Sequence, residues 1–116
     1  MATFTKVILS GSTNGRPIKV VATATPGTLI HTAVTGTSSI DEVWLYACNT
    51  DITDRLLTLQ FGGVFSPDDH IEMTIPYKTG IYTVTPGMVL QNGLIIRAFA
   101  EAANLITIVG FVNRIT

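Results

Sequence analysis

The chain has 116 residues, of which 47% are hydrophobic and only 13% are charged, and its formal net charge is −1. No apolar stretch approaches the ~20 residues of a membrane-spanning helix, so we expect no membrane role. The N-terminus lacks the apolar segment of a secretory signal, so we expect no secretion. The basic residues are scattered, so we expect no direct binding of nucleic acid. The shortage of charge predicts a surface that is partly covered by other proteins.

The residues follow the pattern of a series of short strands separated by turns. Thr, Val and Ile dominate, and their branched side chains favour the pleated strand. No helical periodicity extends beyond about ten residues. The predicted strands are 3–10, 16–24, 29–34, 41–49, 55–61, 71–75, 80–85, 94–100 and 105–115.

Four dipeptides between these strands predict tight turns. Asn14–Gly15 and Asn92–Gly93 favour hairpin turns because both residue types tolerate positive φ. Pro26–Gly27 and Pro86–Gly87 predict type II turns, since proline restricts φ at one position and glycine supplies the positive φ at the next.

The predicted strand 41–49 is apolar on both faces, which indicates that both faces are covered. The single cysteine lies in this strand, so an intrachain disulfide is excluded and we expect a small buried residue at that position. The two faces carry Val43, Leu45 and Ala47 on one side and Trp44, Tyr46 and Cys48 on the other.

Eight or nine short strands without crossover helices predict an all-β fold, an antiparallel β-sandwich of jelly-roll-like type. An immunoglobulin-type sandwich is the alternative, although its Cys…Trp…Cys pattern is absent. The length predicts one domain over residues 1–116, with an N-terminal segment at about 1–5 that can extend to a neighbouring subunit.

The chain offers few residues for catalysis or metal binding. There are two histidines and one cysteine at wide separations, and they match no zinc spacing. We expect His31 to be a hydrogen-bonded strand residue and His70 a surface turn residue, with His70 acting as a base beside Asp68 or Asp69 as the alternative. The sequence therefore predicts no enzyme, no cofactor and no metal site.

Three residues are candidates for contact with a partner. Most aromatic residues occupy alternating strand positions, which predicts core packing, but Phe65 and Tyr77 lie in turn-rich segments on either side of strand 71–75. Exposed loop aromatics serve as interface anchors. Arg97 stands among apolar neighbours, so its charge must reach solvent or pair at an interface, and we expect a pair between subunits.

Several segments resemble small virion structural proteins of tailed bacteriophages. They are LIHTAVTG at 29–36, DEVWLYACNT at 41–50, and an ending that runs from NGL at 92–94 through RAFA at 97–100 to GFVNRI at 110–115. The resemblance implies a capsid decoration or cement protein, a class that is often jelly-roll-like and trimeric and binds the outside of the expanded head. It implies a location on the capsid surface and, as partners, the major capsid protein or another virion protein and further copies of the chain, with a homotrimer favoured.

Other functions remain open from the residues alone. The same composition suits a head–tail joining or tail structural protein. A carbohydrate-binding or receptor-binding sandwich would need exposed aromatics beside polar side chains, such as Phe65 near Asp68 and Asp69. A cupin-like enzyme is disfavoured, because such metal sites use several histidines.

Overall fold

The computed structural model describes residues 2–116, which form nine β-strands and no helix, so none of these residues belongs to a helix that could span a membrane. The strands are β1 (Phe4–Ile8), β2 (Ile18–Lys19), β3 (Thr28–Thr32), β4 (Ile40–Asn49), β5 (Arg55–Phe61), β6 (His70–Ile75), β7 (Tyr82–Leu90), β8 (Ile95–Ala100) and β9 (Ile106–Ile115). The predicted all-β fold is confirmed.

The strands form two antiparallel sheets that enclose one core. The first sheet has the order β1-β9-β4-β7, with β2 also paired to β9, and the second has the order β3-β8-β5-β6. The strand pairs follow one another outward from the middle of the chain, as in one long hairpin. The innermost pair is β5–β6, followed by β4–β7, β3–β8 and β1–β9. A hairpin wrapped into two sheets is the jelly-roll arrangement, so the predicted sandwich type is also confirmed.

The N-terminal segment lies on its own domain. The backbones of Thr3 and Thr116 exchange two hydrogen bonds of 2.9 Å, and Phe4 begins the ladder with β9. Met1 lies outside the described residues. In the single chain this segment therefore covers the edge of β9.

The two Asn-Gly dipeptides form tight turns, but the hairpins predicted there are wrong, because neither turn joins paired strands. Both residues of Asn14–Gly15 and of Asn92–Gly93 have positive φ. The first turn connects β1 and β2, which lie one after the other along β9, and the second connects β7 in one sheet to β8 in the other. The turn chemistry therefore determines a change of direction, whereas the pairing is set by packing.

The two type II turns predicted at Pro-Gly dipeptides are wrong. Pro86–Gly87 lies inside β7, where Gly87 has φ +80° and the register with β4 shifts, so the dipeptide is part of a β-bulge. Gly27 lacks a positive φ, and a Cβ there would lie only 2.6 Å from backbone atoms of Ala98. Residue 27 must therefore be glycine, because the backbones of residues 27 and 98 approach too closely for a Cβ.

The core is aliphatic, which corrects the prediction that most aromatic residues pack there. None of the aromatic residues belongs to the buried set, and four are more than a third exposed. The core is formed mainly by Leu9, Val20, Ile30, Val43, Leu45, Leu57, Leu59, Ile75, Ile96, Ile106, Ile108 and Val112. Aliphatic side chains from both sheets fill the space between them, and among the aromatic residues half-buried Phe61 packs against this core.

Strand β4 shows how the two faces of the first sheet differ. Buried and half-buried residues alternate along its whole length. Val43 and Leu45 are buried in the core, whereas Trp44, Tyr46 and Cys48 are half-buried on the opposite face. The expectation that both faces are covered is therefore not met within a single chain.

Candidate interaction surface

A buried polar cluster links the two sheets at one end of the sandwich. Asp41 of β4 and His31 of β3 have no solvent exposure, and His31 Nε2 lies 2.8 Å from Asp41 Oδ2. Arg114 of β9 donates two hydrogen bonds to the same carboxylate, at 2.8 and 2.9 Å, and the Val34 N–H donates another. These bonds satisfy a charge that would otherwise be costly to bury.

The geometry of this cluster defines the state of His31. The backbone N–H of Ser10 lies 3.0 Å from His31 Nδ1, so Nδ1 must accept and Nε2 carries the proton that is donated to Asp41. The hydroxyl of Ser10 instead accepts the N–H of Thr32. Because the hydroxyl does not face the imidazole and both ring nitrogens are engaged, these residues lack the arrangement of a Ser-His-Asp triad.

His70 and the acidic residues near it serve the local structure. The His70 ring contacts Phe99 edge-on, with centroids 5.8 Å apart, and its Nε2 lies 3.2 Å from the side-chain nitrogen of Gln60. Asp69 accepts the backbone N–H of Phe65 and so organises its own loop. Among residues 2–116, no group of three or more His, Cys, Asp or Glu side chains could hold a metal ion.

The outer face of the first sheet is an apolar surface that three neighbouring strands create. We use the name "outer face" for the side chains of β1, β9 and β4 that alternate with the core residues. Phe4 is 71% and Ile8 52% exposed. The face consists of Phe4, Lys6, Ile8, Ile40, Glu42, Trp44, Tyr46, Cys48, Thr107, Val109, Phe111, Asn113 and Ile115.

Trp44 and Phe111 form the centre of the outer face. They are cross-strand partners, and their rings stack with centroids 6.1 Å apart and planes inclined by 11°. Two glycines accommodate them, since a Cβ at Gly87 would lie 2.9 Å from the Trp44 ring and a Cβ at Gly110 would collide with the Trp44 carbonyl oxygen. The backbone is thus adapted to present a flat aromatic pair.

Two charged side chains lie on this face, and each is held against an aromatic neighbour. Lys6 Nζ lies 4.7 Å from the centre of the Phe111 ring. Glu42 accepts hydrogen bonds from Trp44 Nε1 at 2.8 Å and from Asn113 Nδ2 at 3.0 Å. Hydrogen bonds from Asn113 and Trp44 hold the pKa of Glu42 below its ordinary value, so Glu42 is ionised at neutral pH.

The three predicted interface residues fall into two separate places. Phe65 is 72% exposed and lines a cleft of about 280 Å³ together with half-buried Arg97, whose guanidinium lies 3.4 Å from the Gly27 carbonyl oxygen. Tyr77 is 52% exposed and lies at the opposite end of β6. The structure therefore brings Phe65 and Arg97 together and separates both from Tyr77.

Sequence reasoning did not find the outer face as a surface. Trp44 and Phe111 were assigned to the core because alternation shows which residues share a face but not which face is buried. The signal that could have distinguished them is the type of residue, since the opposite face of β4 carries only small and aliphatic side chains between Asp41 and Asn49.

The chain was also compared with known proteins. No family model, no curated protein and no solved structure matches it.

Proposed function

We propose that this protein is a capsid decoration or cement protein of a tailed bacteriophage, which stabilises the head shell through protein–protein contacts. The observation that carries the proposal is the distribution of apolar side chains, with an aliphatic core and aromatic rings at the surface. Exposed aromatic residues provide contact area at low entropic cost, and they are enriched at interfaces between proteins. The jelly-roll topology and the low charge agree with this role.

In this proposal the protein acts by bridging neighbouring shell subunits. Phe65 and Arg97 supply one contact point and Tyr77 another, at opposite ends of β6 in a molecule whose longest extent is 48 Å. Each contact alone is weak, but several contacts within one rigid particle reinforce each other through effective concentration. Several copies associate, with a trimer favoured, and this multiplies the number of contacts again.

The expected effect is mechanical stabilisation of the assembled shell. A protein that binds the assembled shell but not its separated subunits stabilises assembly by mass action. We therefore expect heads saturated with this protein to disassemble at a higher temperature than bare heads, and the shift to grow with the concentration of free protein.

The test is a binding assay with heads of the phage that encodes the protein, prepared without it, both packaged and empty. We expect Phe65→Ser and Arg97→Ala each to weaken binding about tenfold or more, because each removes an anchor from the same cleft. Val89→Ser is the matched control, since Val89 is 54% exposed on β7 in the other sheet, away from this cleft and from Tyr77. Co-sedimentation with the heads measures the bound fraction.

Two results would reject the proposal. One is that the wild-type protein binds neither packaged nor empty heads. The other is that it binds isolated tails or head–tail connectors instead, which would favour a joining or tail role.

A further inference from the structure

The outer face is built from cross-strand rows that are symmetric about β9. Strand β9 lies between β1 and β4, and the register pairs each of its residues 111–115 with one residue on either side. The outward-facing rows are Phe4–Ile115–Ile40, Lys6–Asn113–Glu42 and Ile8–Phe111–Trp44. Two rows are therefore apolar throughout, and the row between them has a cation at one end and an anion at the other.

Lys6 and Glu42 do not neutralise each other within one chain. They are separated by β9, which places their backbones about 9.6 Å apart at two strand spacings. No salt bridge joins them in the described part of the chain, where Lys6 contacts Phe111 and Glu42 accepts from Trp44 and Asn113. Both charges remain available to a partner that covers the face.

We propose that the outer face binds the outer face of a second copy of this chain, around a two-fold axis that runs along β9. This rotation exchanges the positions of β1 and β4 and leaves each row opposite itself. Lys6 of each copy then faces Glu42 of the other, Ile8 faces Trp44, and Phe111 meets its own equivalent on the axis. A surface that is complementary to itself in this way is what an isologous interface requires.

The area of the face suits a weak pair whose association depends on concentration. The axis along β9 leaves β7 uncovered, so the overlap consists of β1, β9 and β4, which cover roughly 400 Å² at about 3.4 Å rise per residue and about 4.8 Å strand spacing. Two such faces bury roughly 800 Å² in total, which is below the area of stable complexes and typical of transient ones. The stacked pair Trp44 and Phe111 lies near the centre, where binding energy concentrates.

The inference deepens the proposed function and rests on it for the premise that several copies act together, although its two-fold symmetry makes the associating unit a pair where the resemblance favours a trimer. In this arrangement the outer face is used between copies, whereas the cleft with Phe65 and Arg97 stays free for the shell. The second sheet carries that cleft, because Arg97 belongs to β8 and Phe65 follows β5. One molecule can therefore make both kinds of contact at once.

A charge-reversal experiment tests the pairing directly. Lys6→Glu would place a carboxylate opposite Glu42 of the other copy, at both of the equivalent positions in the pair. We expect this repulsion to weaken self-association about tenfold or more. Lys78→Glu is the matched control, since it makes the same change of net charge in an exposed turn between β6 and β7. The double variant Lys6→Glu, Glu42→Lys restores opposite charges and should recover much of the affinity. Sedimentation velocity over a series of protein concentrations measures each variant.

The single tryptophan gives a second measurement on the same samples. Trp44 is half-buried in the isolated chain, so a covering copy should protect it from acrylamide. We expect quenching of wild-type fluorescence to increase on dilution, and quenching of Lys6→Glu to be high at all concentrations. Circular dichroism confirms that each variant is folded, and the comparison of Lys6→Glu with Lys78→Glu decides the question even if the double variant fails to fold.

The results separate this inference from the proposed function. A wild-type protein that stays monomeric at every concentration, or equal weakening by Lys6→Glu and Lys78→Glu, overturns the inference, while binding to heads would still support the decoration role. Self-association that depends on Lys6, together with no binding to heads or tails, supports the inference and rejects the decoration role.

Discussion

Asp41 is the residue on which the electrostatics of the sandwich interior depend. Burial alone raises the pKa of the Asp41 carboxyl, but hydrogen bonds from Arg114 and His31 and the charge of Arg114 outweigh it, and the pKa lies below its ordinary value. The carboxylate therefore remains ionised without solvent exposure. It also joins β4 to β3 and β9, so it connects both sheets.

We predict that Asp41→Asn destabilises the fold by about 3 kcal/mol at neutral pH, because it leaves Arg114 without its carboxylate partner and disturbs the bond to His31. It should also alter the acid response. Since the folded pKa lies below the unfolded value of about 3.9, ionised Asp41 stabilises the fold above that pH, and this contribution is lost as the pH falls through the folded pKa. Chemical unfolding at several pH values measures both effects.

Asp68→Asn is the control for this experiment. Asp68 lies in an exposed loop, so we expect a change in the free energy of unfolding below about 0.5 kcal/mol. A wild-type stability that does not decrease below about pH 4, or an equal loss in both variants, would contradict the role assigned to Asp41.

The exposure of individual side chains can be predicted from the sequence where it depends only on neighbouring residues in the chain. Phe65 lies two residues after Gly63 and Tyr77 follows Pro76, and both aromatic residues are exposed as expected. His31 was expected to be hydrogen-bonded within a strand, and it is. Its partner Asp41 could not be predicted, because the two residues belong to different sheets and meet only when these sheets pack.

At the level of elements, Gly87 interrupts β7 where a turn was expected. Its φ of +80° inserts an extra residue opposite Val43 and Trp44 of β4, and the hydroxyl of Thr85 replaces part of the interrupted ladder by bonding Leu45 N–H and Val43 C=O. A glycine with positive φ is common to turns and bulges. The local sequence therefore cannot distinguish the two, and the partner strand decides.

We predict that Gly87→Ala destabilises the protein more than Gly15→Ala does. The two glycines have φ of +80° and +87°, so the backbone cost of about 1 kcal/mol is common to both. Only a Cβ at residue 87 meets a neighbour, the Trp44 ring at 2.9 Å, and we expect a total loss of about 2–3 kcal/mol there. Thermal unfolding gives the difference, and Trp44 emission should shift only in Gly87→Ala. Equal losses with unchanged emission would argue against the packing of Trp44 on the bulge.

The strand positions could be predicted from the sequence, whereas most of their pairing could not. The bounds of β5 agree residue for residue with the prediction, and those of β4, β6, β8 and β9 agree within one residue, whereas β2 is much shorter than the predicted strand 16–24 and β7 extends well beyond the predicted strand 80–85. Period-two alternation is a local property, which explains this success. Pairing of β1 with β9 or of β3 with β8 joins residues far apart in the chain, and nothing in either strand alone specifies its partner.

At the scale of the whole molecule, the jelly roll is completed by its two chain ends. The hairpin that begins at β5 and β6 ends where β1 meets β9, with Phe4 opposite Ile115. Such contacts join residues far apart in the chain, so forming them carries the entropic cost of closing a long loop. The completed ladder in return covers the β9 edge, which would otherwise expose unpaired backbone groups to other chains.

We predict that removal of residues 2–8 causes aggregation and lowers the free energy of unfolding by at least about 2 kcal/mol. The deletion removes β1, exposes the edge of β9 from Phe111 to Ile115, and takes away Val7, which packs against the core. A variant without Ala2 alone is the control, because Ala2 is exposed and precedes the ladder. Light scattering and thermal unfolding of both variants provide the measurement. If the deletion variant remained monodisperse and as stable as the control, the chain ends would not be required to complete the fold.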